Sequence, residues 1–209
     1  MSYKVVEEFE AALSEYTGAP YVVTVNSCSM ALLLSISYYM QFRKPSAVEQ
    51  LGGRIDRPYI GIPARTYCSV PMSIFHAGGH PHFRDEDWRG EYQLKDIPVW
   101  DSARRFTSGM YRPGQMQCVS FQTSKILGLE QGGAILLDNP EAAEWLRRAR
   151  FDGRLDASEK LPKQIGWHVY LNPSTAALGL QRLACLPRHN EDQAGSEDFP
   201  DLSVLDLWS

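Results

Sequence analysis

The chain has 209 residues, 44% of them hydrophobic and 22% charged, which excludes wholesale disorder and suffices for one domain-sized core. Its 21 Lys and Arg against 25 Asp and Glu give a formal charge of −4, which argues against a broad basic surface for gripping nucleic acid. No uncharged apolar run approaches the roughly 20 residues of a membrane helix, and Met1-Ser2-Tyr3-Lys4 does not begin a secretory leader.

In chain order, Ser2 stands as an N-cap before Val5, Val6, Phe9, Ala12, Leu13 and Tyr16, which recur at helical spacing until Gly18-Ala19-Pro20 ends the helix. The β-branched run 21–25 reads as a buried strand. Asn26-Ser27-Cys28-Ser29 then leads straight into an apolar helix from Met30 to Phe42, and the polar stretch from Arg43 to Arg57 reads as an exposed loop. A short strand at 59–62 closes at Pro63, and a helix over 70–77 stops at Gly78-Gly79. Further strands are expected at 81–85, 97–101, 117–121 and 133–137. Pro140 opens a helix over 141–151, and 175–186 is a last amphipathic helix. Strands alternating with helices predict an α/β domain with a mostly parallel sheet over residues 1–186. Beyond Pro187 the chain turns acidic, so 187–209 reads as an extended tail.

Ligands of an open α/β sheet collect beyond the carboxyl ends of its strands. Four segments put polar groups there: Asn26-Ser27-Cys28-Ser29, Thr66-Tyr67, Asp101-Ser102-Ala103-Arg104, and Ser120 through Lys125. The first joins a strand to a helix, where free N–H groups and the helix dipole favour an anion such as phosphate. Taken singly, each has an ordinary explanation: a serine-rich cap, loop packing, a helix cap, a solvated lysine. Their combination is what carries information.

In combination these segments resemble the DegT-type (DegT/DnrJ/StrS) sugar aminotransferases, enzymes of the fold-type-I superfamily that use pyridoxal 5'-phosphate (PLP). The resemblance rests on Val6-Glu7-Glu8-Phe9-Glu10, Tyr16-Thr17-Gly18, Asn26-Ser27-Cys28-Ser29, Pro63-Ala64-Arg65-Thr66-Tyr67, Asp101-Ser102-Ala103-Arg104, Ser120-Phe121-Gln122-Thr123-Ser124-Lys125 with Gly132-Gly133-Ala134, and Ala176-Ala177-Leu178-Gly179. It runs in unbroken order from about Val5 to Leu186. It implies the large domain of that fold, a three-layer sandwich, and transfer of an amino group from an amino-acid donor to a keto group of a nucleotide-linked sugar. By position, Lys125 would bond covalently to PLP and shuttle a proton, and Asp101 would pair with the ring nitrogen. Tyr67 would stack on the ring, while Ser27, Cys28, Ser29 and Ser120 would hold the phosphate. Arg104 stands where the family places a Gln or His near the ring, and would contact the cofactor there as a donor.

The departures matter as well. Cys28 replaces a glycine of the phosphate turn, so that turn is expected to avoid positive φ. His168 and Tyr170 replace an Asn and an Arg, and the Asn reaches the partner subunit's cofactor, which leaves His168 as a contact across a homodimer interface. Family members carry a further N-terminal lead and a small C-terminal domain. Their absence suggests a compact enzyme, one half of a split enzyme or a degenerate remnant, with a substrate side open enough for a bulky or macromolecule-linked substrate.

Other readings compete. A PLP decarboxylase or lyase, or a non-catalytic subunit, would share much of this pattern. Cys28 at a helix N-terminus also suits a nucleophile elbow, which would need a histidine base. His76, His80 and His82 with Asp85 lack familiar metal-ligand spacing, so no metal site is assigned. Arg147-Arg148-Arg150 reads as a solvated helix face, and Tyr38-Tyr39 as helix packing. Four widely spaced cysteines without a CxxC pair fit a reduced, cytoplasmic protein.

Overall fold

The computed structural model describes residues 4–41 and 57–208; Ser2, Phe42 and all but Arg57 of the loop assigned to 43–57 lie outside the described residues. The helical spacing of apolar residues produces α1 (Lys4–Thr17), α2 (Cys28–Gln41), α3 (Ser69–His76), α4 (Pro140–Ala149) and α5 (Pro173–Cys185). The last two begin as their sequences dictate. Asn139 and Asn172 accept hydrogen bonds from first-turn backbone N–H groups, and a proline follows each of them.

The strands are β1 (Tyr21–Val25), β2 (Tyr59–Pro63), β3 (His80–Arg84), β4 (Tyr92–Leu94), β5 (Val99–Asp101), β6 (Met116–Ser120) and β7 (Gly133–Leu137). Five of them form one sheet in the order β1-β7-β6-β5-β4, and β2 pairs with β3 alongside. The sheet is mixed, which corrects the expectation of mostly parallel pairing. β1 with β7, β6 with β7 and β4 with β5 are antiparallel; only β5 with β6 and β2 with β3 are parallel. For β4 and β5 the cause is connection length. A parallel partner needs a crossover of about a dozen residues or more, whereas β4 returns to β5 through a turn at which Asp96 takes a positive φ.

One consequence positions the site. β1 and β6 are both antiparallel to β7, and β5 is parallel to β6, so these three strands point the same way. β2 joins them in direction, because its Gly61 bridges antiparallel to Lys95 at the end of β4. The carboxyl ends of β1, β2, β5 and β6 therefore open onto one edge.

Alternation along the strands supplies two cores, one on each face. Val23, Val25, Ile135 and Leu137 pack beneath α2, α3 and α4, while Val22, Ala134 and Leu136 face Phe9, Leu13, Ala176 and Leu183 of α1 and α5. Three layers result. Tyr38 packs edge-on against Trp145, as helix packing requires.

The reading of Arg147-Arg148-Arg150 as a solvated face is corrected. Arg148 is buried and pairs with Glu144 and Glu159. Arg150 pairs with Glu10 of α1, whose Oε1 also accepts from the N–H and hydroxyl of Thr24 at 2.8 Å each. Charge in a sequence does not reveal which carboxylate a neighbouring element will bring.

The C-terminal stretch folds back over the domain. Leu202 is buried, its N–H donating to the Ala64 carbonyl at 2.9 Å, and Trp208 packs against Phe83. Ser196 donates to Asp87 Oδ1 at 2.9 Å.

Candidate active site

A cavity of about 410 Å³ opens at the edge where the strand ends converge. That volume is in the range of small-molecule sites. Ser27, Cys28, Ser29, Tyr67, Asp101, Arg104, Ser120 and Lys125 all line it, from four separate stretches of sequence. Topology brings together what spacing alone could not.

At one end lies the start of α2. Ser27 Oγ accepts from the Met30 N–H at 3.3 Å, and Ser29 Oγ is 2.6 Å from Ser69 Oγ, at the start of α3. Helix N-termini and hydroxyls together suit an anion. The turn is held against β7: Ser27 bridges parallel to Gly132, and a Cβ on Gly133 would stand 2.6 Å from the Cys28 backbone nitrogen. Gly133 is therefore required by close approach. Among the described non-glycine residues only Asp96 and Asp152 have positive φ, so Cys28 fits its turn without that strain.

Cys28 is buried, and its thiol donates weakly to the Cys118 carbonyl at 3.5 Å. Burial pushes its pKa well up, with the nearby Asp101 and Cys118 adding to the effect. It is a packed thiol, not a thiolate, and no histidine lines the cavity. The nucleophile-elbow reading loses both its nucleophile and its base.

Asp101 ends β5 and is buried. Its Oδ1 accepts from the Ala103 N–H at 3.0 Å and its Oδ2 from the Tyr92 hydroxyl at 2.9 Å. The Tyr92 hydroxyl in turn lies 2.6 Å from Thr66 Oγ1. Burial raises the Asp101 pKa, opposed by the Ala103 and Tyr92 hydrogen bonds and by Lys125 and Arg104. Burial first, then the neighbouring Asp101, drives the Tyr92 pKa well up, so Tyr92 stays a proton donor to the carboxylate. Tyr92 escaped sequence reading because three residues are too few for any period to show. Thr66, read there as loop packing, is the start of this relay.

Lys125 is half-buried and its pKa is lowered, chiefly by burial and next by Arg104, against Asp101, Cys28 and Asp198. A larger fraction of it is the neutral, nucleophilic amine at neutral pH. Tyr67 stands exposed at the rim, edge-on to Phe199 at 6.4 Å. His168 is not in the cavity of this chain. Its Nδ1 lies 2.7 Å from Asp152 Oδ2, and its ring packs on Phe151 and Tyr170. His80, weighed as a metal ligand, is in ring contact with Tyr59 and Phe75.

The model of the DegT/DnrJ/EryC1/StrS aminotransferase family matches residues 1–94 and 108–196, most of the chain. The chain belongs to this family. No curated protein sequence is close enough to register as a match. Solved structures agree on the fold of the DegT/DnrJ/EryC1/StrS member described here. A 3-amino-5-hydroxybenzoic acid synthase superposes with TM-score 0.70 at 19% identity, over 88% of this chain and 56% of its own. The aminotransferase TlmJ from Streptoalloteichus hindustanus gives 0.67 at 22%, over 88% and 59%. Helicobacter pylori PseC, an aminotransferase involved in the biosynthesis of pseudoaminic acid, gives 0.65 at 21%, over 86% and 57%. The fold is thus that of the fold-type-I aminotransferases, and the chain spans less than three-fifths of the length of these three relatives.

Proposed function

We propose that this protein is a PLP-dependent aminotransferase that moves an amino group from an amino-acid donor to a keto group, the acceptor being a nucleotide-linked sugar. The observation that carries the reading is the meeting of Lys125 and Asp101 in one cavity with a serine-rich helix N-terminus. The donor set fits the cofactor: a half-buried amine, a buried carboxyl, a ring-stacking tyrosine and an anion cradle match an aldehyde, a ring nitrogen, an aromatic face and a phosphate. Solved relatives at about 20% identity with aminotransferase in their names support the activity, and the family resemblance supports the sugar nucleotide.

When bound, PLP supplies an electron sink that makes a substrate Cα–H bond labile. The chain's own residues do the rest. Ser27, Ser29, Ser120 and the first turn of α2 would bind the phosphate, and Tyr67 would cover the ring. Asp101, oriented by Tyr92 and Ala103, would hold a proton on the ring nitrogen by charge. Lys125 Nζ, its pKa lowered by burial and the Arg104 charge, would attach the cofactor and then move the proton to and from Cα. The family builds its site between two subunits. Exposed Leu161 and Ile165, a few residues before His168, support a homodimer in which His168 approaches the partner's site. The cysteines are free thiols, as suits a cytoplasmic setting, and no helix among the described residues is long and apolar enough to cross a membrane.

The test is the visible absorption spectrum of the purified protein with PLP, before and after borohydride, beside Lys125→Ala. We expect a band that borohydride abolishes, with the reduced adduct mapped to the Lys125 peptide and both absent in the variant. A folded wild-type protein without such a band would refute the reading.

A further inference from the structure

The C-terminal stretch reaches the site itself. Phe199 lines the cavity and stacks on Trp88, with ring centroids 5.8 Å apart at 18°. The Arg104 guanidinium lies 4.6 Å over the Phe199 ring. Its Nη1 donates to the Ala194 carbonyl at 2.6 Å and to the Asp198 carboxylate. The Arg104 carbonyl accepts from the Gln193 N–H at 3.0 Å, and the Gln193 side chain donates to the Ser124 carbonyl at 2.9 Å, one residue from Lys125. Every strong interaction of the Arg104 head group therefore comes from residues 194–199. Contact is intimate: a Cβ on Gly195 would lie 1.7 Å from the Trp88 carbonyl oxygen, so the segment seats there because that residue has no side chain.

We propose that Asp198 is a positioning residue that holds Arg104 beside Lys125, making the C-terminal segment part of the active site. The proposal rests on Lys125 being the reactive amine, but not on what that amine carries. The Arg104 guanidinium is clamped by Asp198 and Phe199, and Arg104 shares the cavity with Lys125. The charged and titratable groups facing Lys125 are Arg104, Asp101, Cys28 and Asp198. A cation favours the neutral amine and an anion the charged one, so Arg104 and Asp198 act on it with opposite signs. Asp198 thus both tethers the cation and limits its effect.

The test reads the protonation of Lys125 in the PLP-free protein, as the pH dependence of its modification by an amine-reactive reagent, followed on its own peptide by mass spectrometry. Asp198→Ala removes the tether as well as the charge, and we expect Arg104→Gln to move the midpoint less than half as far in that background as in the wild type. Arg104→Gln removes the cation, and the midpoint is expected to rise by about one unit. Arg104→Lys, which retains charge, should restore most of that change. An unmoved midpoint in Arg104→Gln, or an Arg104→Gln change as large in the Asp198→Ala background as in the wild type, would overturn the proposal. Thermal melts of each variant confirm that the protein assayed is folded. Because PLP takes no part, the outcome is separable from the aminotransferase reading. Shifted midpoints without a PLP band would sink only that reading, and a band with fixed midpoints only this one.

Discussion

Asp101→Asn is expected to lower the rate of amino transfer roughly 100- to 1000-fold, while the same variant, free of PLP, unfolds no more easily than the wild type at neutral pH. The first effect follows because a neutral amide cannot hold a protonated ring nitrogen by charge. The second follows from the burial of Asp101, which raises its carboxyl above the ordinary value of 3.8 in the folded chain. The folded state therefore binds the proton more tightly than the unfolded one. Stability from this group is present below the unfolded value and is lost as pH rises through the folded value. At neutral pH the buried carboxylate is a net cost, only partly offset by the Tyr92 and Ala103 hydrogen bonds. An Asn can accept from Ala103 and donate to the Tyr92 hydroxyl, which then turns to Thr66, without that cost, and a gain of about 1 kcal/mol is expected. Urea titrations at acid and neutral pH, paired with turnover, measure both effects. A clear loss of stability at neutral pH would make Asp101 a structural residue first.

The largest effect on stability is expected from Arg150→Met. Arg150 brings α4 to α1 and β1 by pairing with Glu10 and by donating to the Thr24 carbonyl at 2.6 Å. Removing it leaves Glu10 buried with only the two Thr24 donors. Breaking one half of a buried pair costs about 3–5 kcal/mol. The double variant Glu10→Gln with Arg150→Met removes both charges and should recover much of the loss. Denaturant unfolding of the two singles and the double decides it. Equal instability in the single and double variants would mean that packing at Arg150, not an unpaired charge, carries the effect.

Much of the candidate site was legible before any coordinates because its residues are punctuation between elements. Lys125 and Ser27-Cys28-Ser29 follow, and Asp101 closes, a strand whose apolar pattern marks where it ends. Tyr67 was legible from the Pro-x-x-Thr-aromatic segment after β2. Tyr92 was not, since β4 has three residues, too few for a period to show.

The amino-acid order by itself determined the alternation of helices and strands, their two-sided burial and the family, because hydrophobic period and turn residues are local properties. Tertiary structure alone decided strand direction, the partners of Arg148 and Arg150, and the course of the C-terminal segment. Strand direction, like charge pairing, depends on which element arrives opposite. Residues 187–208 have no period of their own. Their conformation is set by surfaces already formed elsewhere: Trp88 for Ser196 and Phe199, Arg104 for Asp198, Ala64 for Leu202. Contacts at that separation in sequence leave no local pattern, so only the folded chain could show that Phe199 of the C-terminal segment lines the candidate site.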